Sequence, residues 1–181
     1  MSRNYKFHNQ SGLYFISFAT VFWIDVFVRE AYFNIIIESL HYCRKYKGMK
    51  IYGYCIMTNH IHLIFQSESG NATGLIRDFK THTSKKILTI LKMNSKESRK
   101  EWMLDFFKLA GEKNSNVSNM QFWQQHNKPI ELWSNKVIDQ KLDYIHENPV
   151  KAGFVGEAVD WKYSSARNYA GDQMVLEIDL L

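Results

Sequence analysis

From Tyr14 to Val21 the chain reads YFISFATV, a run of aromatic and β-branched residues without helical spacing, and this predicts a buried first strand. Between Arg29 and Tyr46 the apolar positions Tyr32, Ile36, Leu40 and Cys43 fall at helical spacing, and a cationic end (Arg44, Lys45, Lys47) precedes Gly48, so a helix is expected there. Lys50–Ile56 (KIYGYCI) and His60–Gln66 predict two further strands, antiparallel across the short turn Met57-Thr58-Asn59. Ala72–Lys92 predicts a long amphipathic helix, with Ile76, Phe79, Ile87, Ile90 and Leu91 on one stripe and Arg77, Lys85 and Lys92 on another side.

The second half alternates less cleanly. Glu97–Leu109 predicts another helix, and Gly111–Asn119 (GEKNSNVSN) is polar enough to be a loop. The aromatic-rich Gln121–Trp133 can supply a fourth strand, after which Ser134 is placed to cap a helix running to Glu147. Pro149 disfavours α geometry at Asn148, so that helix is expected to end there. Strand, helix, strand, strand, helix and a later strand is the order of an α+β, ferredoxin-like sandwich, and no repeat or linker divides residues 1–181 into more than a single domain.

Composition narrows the class. Of 181 residues 45% are hydrophobic and 15% aromatic, enough for a packed core and against a disordered chain. Lys and Arg outnumber Asp and Glu by 23 to 18, which permits a polyanionic partner without demanding one. Cys43 and Cys55 form no CxxC pattern, so they read as core thiols and not as a disulfide framework or zinc site. The most apolar stretch, Leu13–Val28, is interrupted by Ser17, Thr20 and Asp25 and has no basic leader; neither a membrane span nor a signal peptide is expected, and the expected location is cytoplasmic.

Two stretches carry candidate chemistry. In MTNHIHLIF (Met57–Phe65) strand alternation puts His60 and His62 on one face and Ile61, Leu63 and Phe65 on the other, so both imidazoles can reach one ion or simply form a hydrogen-bonded surface pair. In YIHENPVKAG (Tyr144–Gly153) the preceding helix buries Ile138, Leu142 and Ile145, while Tyr144 and Asn148, four residues apart, can face one site or serve as an ordinary aromatic and an ordinary cap. His146 projects elsewhere and reads as a surface or capping residue, and His126 as a solvent-exposed loop residue. Candidates for a cationic track along single-stranded nucleic acid are Arg77, Lys80, Lys85, Lys86, Arg99 and Lys100, and among the aromatics Trp123, bordering the polar loop, is the first choice for a stacking platform.

Taken in order, MTNHIHLIF, YIHENPVKAGFV and the C-terminal WKYSSARNY resemble the single-tyrosine HUH transposases, specifically the REP-associated tyrosine transposase branch, over most of the chain from YFISFATVFWIDVF to Tyr169. The resemblance implies an HUH endonuclease fold, ferredoxin-like with an antiparallel RRM-like sheet, and a metal-dependent enzyme that nicks and rejoins single-stranded or hairpin DNA. His60 and His62 match the pair that holds a divalent ion, Mg or Mn; Tyr144 matches the nucleophile and Asn148 the helper ligand, a position where close relatives often carry Gln. It further implies a monomer or homodimer without a membrane partner. A tyrosine hydroxyl ionises only near pH 10, so a nearby cation is the expected activator. Two other readings stand beside this one: a catalytically inactive, domesticated DNA- or RNA-binding protein of the same fold, and a metal-dependent hydrolase that uses His60 and His62 without Tyr144.

Overall fold

The computed structural model describes residues 6–114, 119–125 and 127–180. Residues 115–118 of the predicted polar loop, and His126, lie outside the described residues.

Four strands, β1 (Tyr14–Ala19), β2 (Met49–Ile56), β3 (His60–Ser67) and β4 (Ile130–Glu131), form one sheet in the order β2-β3-β1-β4. All neighbours are antiparallel. This is the ferredoxin-like arrangement that the element order implied. β4 is only two residues long because Pro129, which lacks an N–H, precedes it; an isolated bridge between Thr20 and Trp123 continues the pairing beyond the end of β1.

Alternation sorts the strand residues into two faces. Ile16, Phe18, Ile61, Leu63 and Phe65 pack under α1 (Glu30–Tyr46) and α2 (Ala72–Met93), whose Tyr32, Ile36, Leu40, Ile76, Phe79, Ile87 and Leu91 complete the larger core. Phe15, Cys55, Met57 and Ile64 face the other way and pack with Ile145, Leu142 and Ile138 of α4 (Asn135–His146), the stripe expected for that helix. Ser134 caps α4, its hydroxyl accepting from the Val137 N–H. Gly53, beside a bulge in β2, lets this helix sit close: a Cβ there would meet Leu142 Cδ2 at 2.8 Å and Ile145 Cδ1 at 3.0 Å.

Three details differ from the sequence pattern. α3 (Lys100–Glu112) starts later than Glu97, because the Glu97 carboxylate is buried and held by Arg99 at 2.9 Å and Arg29 at 2.8 Å, so it anchors the connection to α1 instead of opening a helix. α4 does end before Asn148, yet the chain stays helical: Asn148–Lys151 forms a further turn, α5, with Pro149 in its first positions, where a missing N–H costs nothing. His146 is turned inward; its Nε2 lies 2.8 Å from the Ser165 hydroxyl, and burial pushes its pKa down to about 4.

The first part of WKYSSARNY, Trp161–Ser165, runs along the free edge of β2 before α6 (Ala166–Ala170). Ile56 N–H donates to Tyr163 O, Ser165 N–H to Tyr54 O, and the Trp161 indole to Ile56 O. That protects the sheet edge. Cys43 and Cys55 are both free and buried, as core thiols should be. Among the described residues no helix is long and apolar enough to cross a membrane.

Candidate active site

β3 carries His60 and His62 to the face covered by α4, and the two Nε2 atoms stand 3.1 Å apart. Their Nδ1 atoms point away from each other into separate supports. His60 Nδ1 lies 2.7 Å from Asn59 Oδ1, and the Asn59 amide nitrogen donates to Trp23 O and to the Asp25 carboxylate at 3.3 and 3.0 Å. Because that nitrogen is occupied as a donor, Asn59 Oδ1 must accept, so His60 carries its proton on Nδ1 and leaves a lone pair on Nε2. His62 Nδ1 meets the Ser17 hydroxyl at 2.5 Å, directly across the β1–β3 ladder. A hydroxyl both donates and accepts, so Ser17 lets His62 place its proton on either nitrogen.

Electrostatics keep both rings neutral. Burial depresses His60, against smaller opposing effects of the Asn148 side chain and Asp25, and pushes His62 down to about 3, aided by its neighbours His60 and Lys141. Neutral imidazole is the metal-binding form.

The spacing of the pair fits two ligands of one divalent ion. Two ligands about 2.0–2.1 Å from one octahedral ion and at right angles to each other lie about 3 Å apart, close to the Nε2 separation of 3.1 Å. Each ring is oriented by a second hydrogen bond, as metal-ligating histidines are. Among the described residues there is no group of three or more His, Cys, Asp and Glu side chains that could hold a metal. Two imidazoles do not complete a coordination sphere, so an ion held there would take its remaining ligands from other donors such as water or phosphate oxygens.

Helix α4 lays Tyr144 over this pair. The Tyr144 ring is 42% exposed and meets the His62 ring edge-on at 5.2 Å between centroids, with Phe15 on another side at 5.9 Å. Four residues on from Tyr144, the Asn148 side chain acts on His60, favouring its protonated form against the effect of burial. All four residues thus converge within a single chain. Sequence reading missed their supports: Ser17, Asn59 and Asp25 around the histidines, and Lys141, whose ammonium lies 5.4 Å from the Tyr144 ring centroid and 4.8 Å from that of Phe15. The spacing of Lys141, three residues before Tyr144, was the available signal.

The proposed nucleic-acid track does not join them. Arg77, Lys80, Lys85 and Lys86 sit on α2, across the sheet from the histidines. Lys80 is turned into the structure, donating to Gln124 O and Asn127 Oδ1 at 2.9 and 2.7 Å, and burial lowers its pKa to about 8. Arg77 pairs with Asp78 and Lys86 with Glu38, while Lys85 is exposed. Arg99 is spent on Glu97 and on Asp25 O; Lys100 lies 3.6 Å from Glu101. Trp123 is only 5% exposed: it packs against Phe18, Phe27 and Phe122 and donates its indole N–H to Thr83.

Comparison with known proteins places this geometry. The family described as "Transposase IS200 like" matches residues 24–121, more than half of the chain. The chain belongs to the IS200-like transposase family. The matched part contains His60 and His62 and stops short of Tyr144 and Asn148. A Haemophilus influenzae protein named as a REP-associated tyrosine transposase is 24% identical over 167 residues, covering 91% of this chain and 85% of that protein. A REP-associated tyrosine transposase solved bound to a REP hairpin superposes with a TM-score of 0.67 at 16% identity, over 99% of this chain and 92% of the other, so the shared fold extends through α4 and the C-terminal segment.

Proposed function

We propose that this IS200-like family member nicks and rejoins single-stranded DNA, at or beside a hairpin, through a covalent link to Tyr144. The observation that carries the reading is the edge-on contact of Tyr144 with His62, 5.2 Å between ring centroids, at two histidines whose Nε2 atoms converge. The hairpin-bound structural neighbour supports the choice of substrate.

His60 and His62, with Asn148, would hold a divalent ion, Mg or Mn; when bound it polarises the scissile phosphate and favours ionised tyrosine. Tyr144 Oη attacks phosphorus and the bond to the 3′-oxygen breaks, giving a 5′-phosphotyrosine and a 3′-hydroxyl. The phenolic proton is lost and the leaving oxygen gains one. One phosphodiester replaces another, so reversal by a 3′-hydroxyl rejoins DNA without ATP. Lys141 brings a positive charge to the side of Tyr144, available to the phosphoryl oxygens that carry negative charge as the tyrosine attacks.

The test is a denaturing gel with a panel of labelled single-stranded oligonucleotides that carry hairpins, with Mg or Mn present. Wild type should form a denaturation-resistant adduct mapping by mass to Tyr144, and Tyr144→Phe none. Binding without an adduct in wild type would instead make the chain a DNA-binding protein that no longer cleaves. Cleavage persisting in Tyr144→Phe would point to hydrolysis by water.

A further inference from the structure

Immediately after β1 the chain makes a turn that holds two large aromatic residues outward. Phe22 and Trp23 have φ of 54° and 55°, a left-handed conformation that non-glycine residues keep only where their surroundings enforce it. Here they do: Trp23 N–H donates to Thr20 O, Ile24 N–H to Val21 O, the Thr20 hydroxyl to Ile24 O, and the Asn59 amide to Trp23 O. The turn is thereby tied to the same asparagine that orients His60.

What the turn presents is apolar area in the open. Trp23 is 57% exposed and Phe22 48%. The Trp23 ring meets His60 at 5.6 Å; Phe22 meets Phe106 at 5.4 Å, and Phe106 meets Trp102, one turn earlier on α3, at 6.1 Å. Phe106 and Trp102 are also exposed, and Lys113 lines the same cleft as Phe22. A file of open rings thus begins at the histidine pair and leads away from it.

We propose that Trp23, Phe22, Phe106 and Trp102 form a stacking track for the unpaired bases next to the scissile phosphate, an inference that rests on the DNA-nicking reading above. The occupant follows from continuity: the file starts at His60, where that reading puts a phosphate, and the base next to a bound phosphate needs a flat apolar surface once it leaves a duplex. Stacking accepts any base, so the track would hold the strand while sequence is read elsewhere.

The test uses binding in a Tyr144→Phe background without divalent ion, so that it does not depend on cleavage. The probes are fluorescein-labelled (dT)12 and a twelve-unit strand of abasic spacers, measured by anisotropy. The parent protein should prefer (dT)12; Trp23→Ala should weaken (dT)12 binding about 5- to 150-fold, leave the abasic strand unchanged, and be rescued by Trp23→Phe. Phe106→Ala, farther from the histidines, should act in the same direction. Equal binding of the two probes by the parent, unchanged (dT)12 affinity in Trp23→Ala, or an equal loss on both probes each overturns the track. So does sedimentation showing a dimer that Trp23→Ala dissociates, since the rings would then be a self-association surface. Loss of the base preference with the Tyr144 adduct intact removes only the track, whereas an intact preference without any adduct removes only the chemistry.

Discussion

Ser17 lets His62 offer Nε2 to a ligand. With the Asn59 acceptor holding the His60 proton on Nδ1, a metal between the rings requires His62 to move its own proton to Nδ1 and donate it to Ser17, 2.5 Å away. Ser17→Ala removes that acceptor and should weaken Mn binding roughly 10- to 100-fold by titration calorimetry, with little change in melting temperature because Ser17 is only half-buried. Lys141 makes a different contribution. Lys141→Met keeps much of the stem that packs by Phe15 but removes the charge by Tyr144, and should slow adduct formation roughly tenfold while leaving DNA affinity nearly unchanged, the signature of an interaction made during attack.

The position of α4 depends on Gly53. Any side chain there would push on Leu142 and Ile145, and Tyr144 rides on the same helix. Gly53→Val should therefore lift α4 and cut adduct formation by 100-fold or more, since displacements of about 1 Å at a reacting group can cost about that much; a circular dichroism spectrum like that of wild type would show that the sheet persists. The start of α3 is held by a buried ion cluster. Hydrogen bonds from Arg99, then Arg29, outweigh burial and draw the Glu97 carboxyl down to about 2, below its unfolded value of about 4.3. Its stabilisation is complete above about pH 4.3 and is lost as the pH falls towards 2. Glu97→Gln should lower stability by roughly 3 kcal/mol at neutral pH, and the gap from wild type in thermal melts should narrow over that acidic range.

For the molecule as a whole, the consequence is that the candidate site closes within one chain. β3 brings the histidines, β1 supplies Ser17, and α4 crosses back over that face with Tyr144. An equimolar mixture of Tyr144→Phe and His62→Ala proteins should then form no adduct on a hairpin oligonucleotide that wild type cleaves. Restored activity would mean that α4 exchanges between copies.

Periodicity in the sequence determined most of the elements, the two faces of the sheet and the apolar stripe of α4, because alternation and helical spacing are local properties tied to burial. The ordered motifs also singled out His60, His62, Tyr144 and Asn148. Their mutual distances were beyond it, as was the support from Ser17, Asn59 and Asp25, because those contacts join residues remote in sequence through strand register and helix docking. Charge and aromaticity were harder to place for the same reason: Lys80, Arg99 and Trp123 look available for DNA in one dimension, and the fold gives Lys80 a loop to hold, Arg99 the Glu97 carboxylate and Trp123 a place in the core. Only the tertiary structure decided which side chains remain free, since each bond made inside the protein removes a group from the surface.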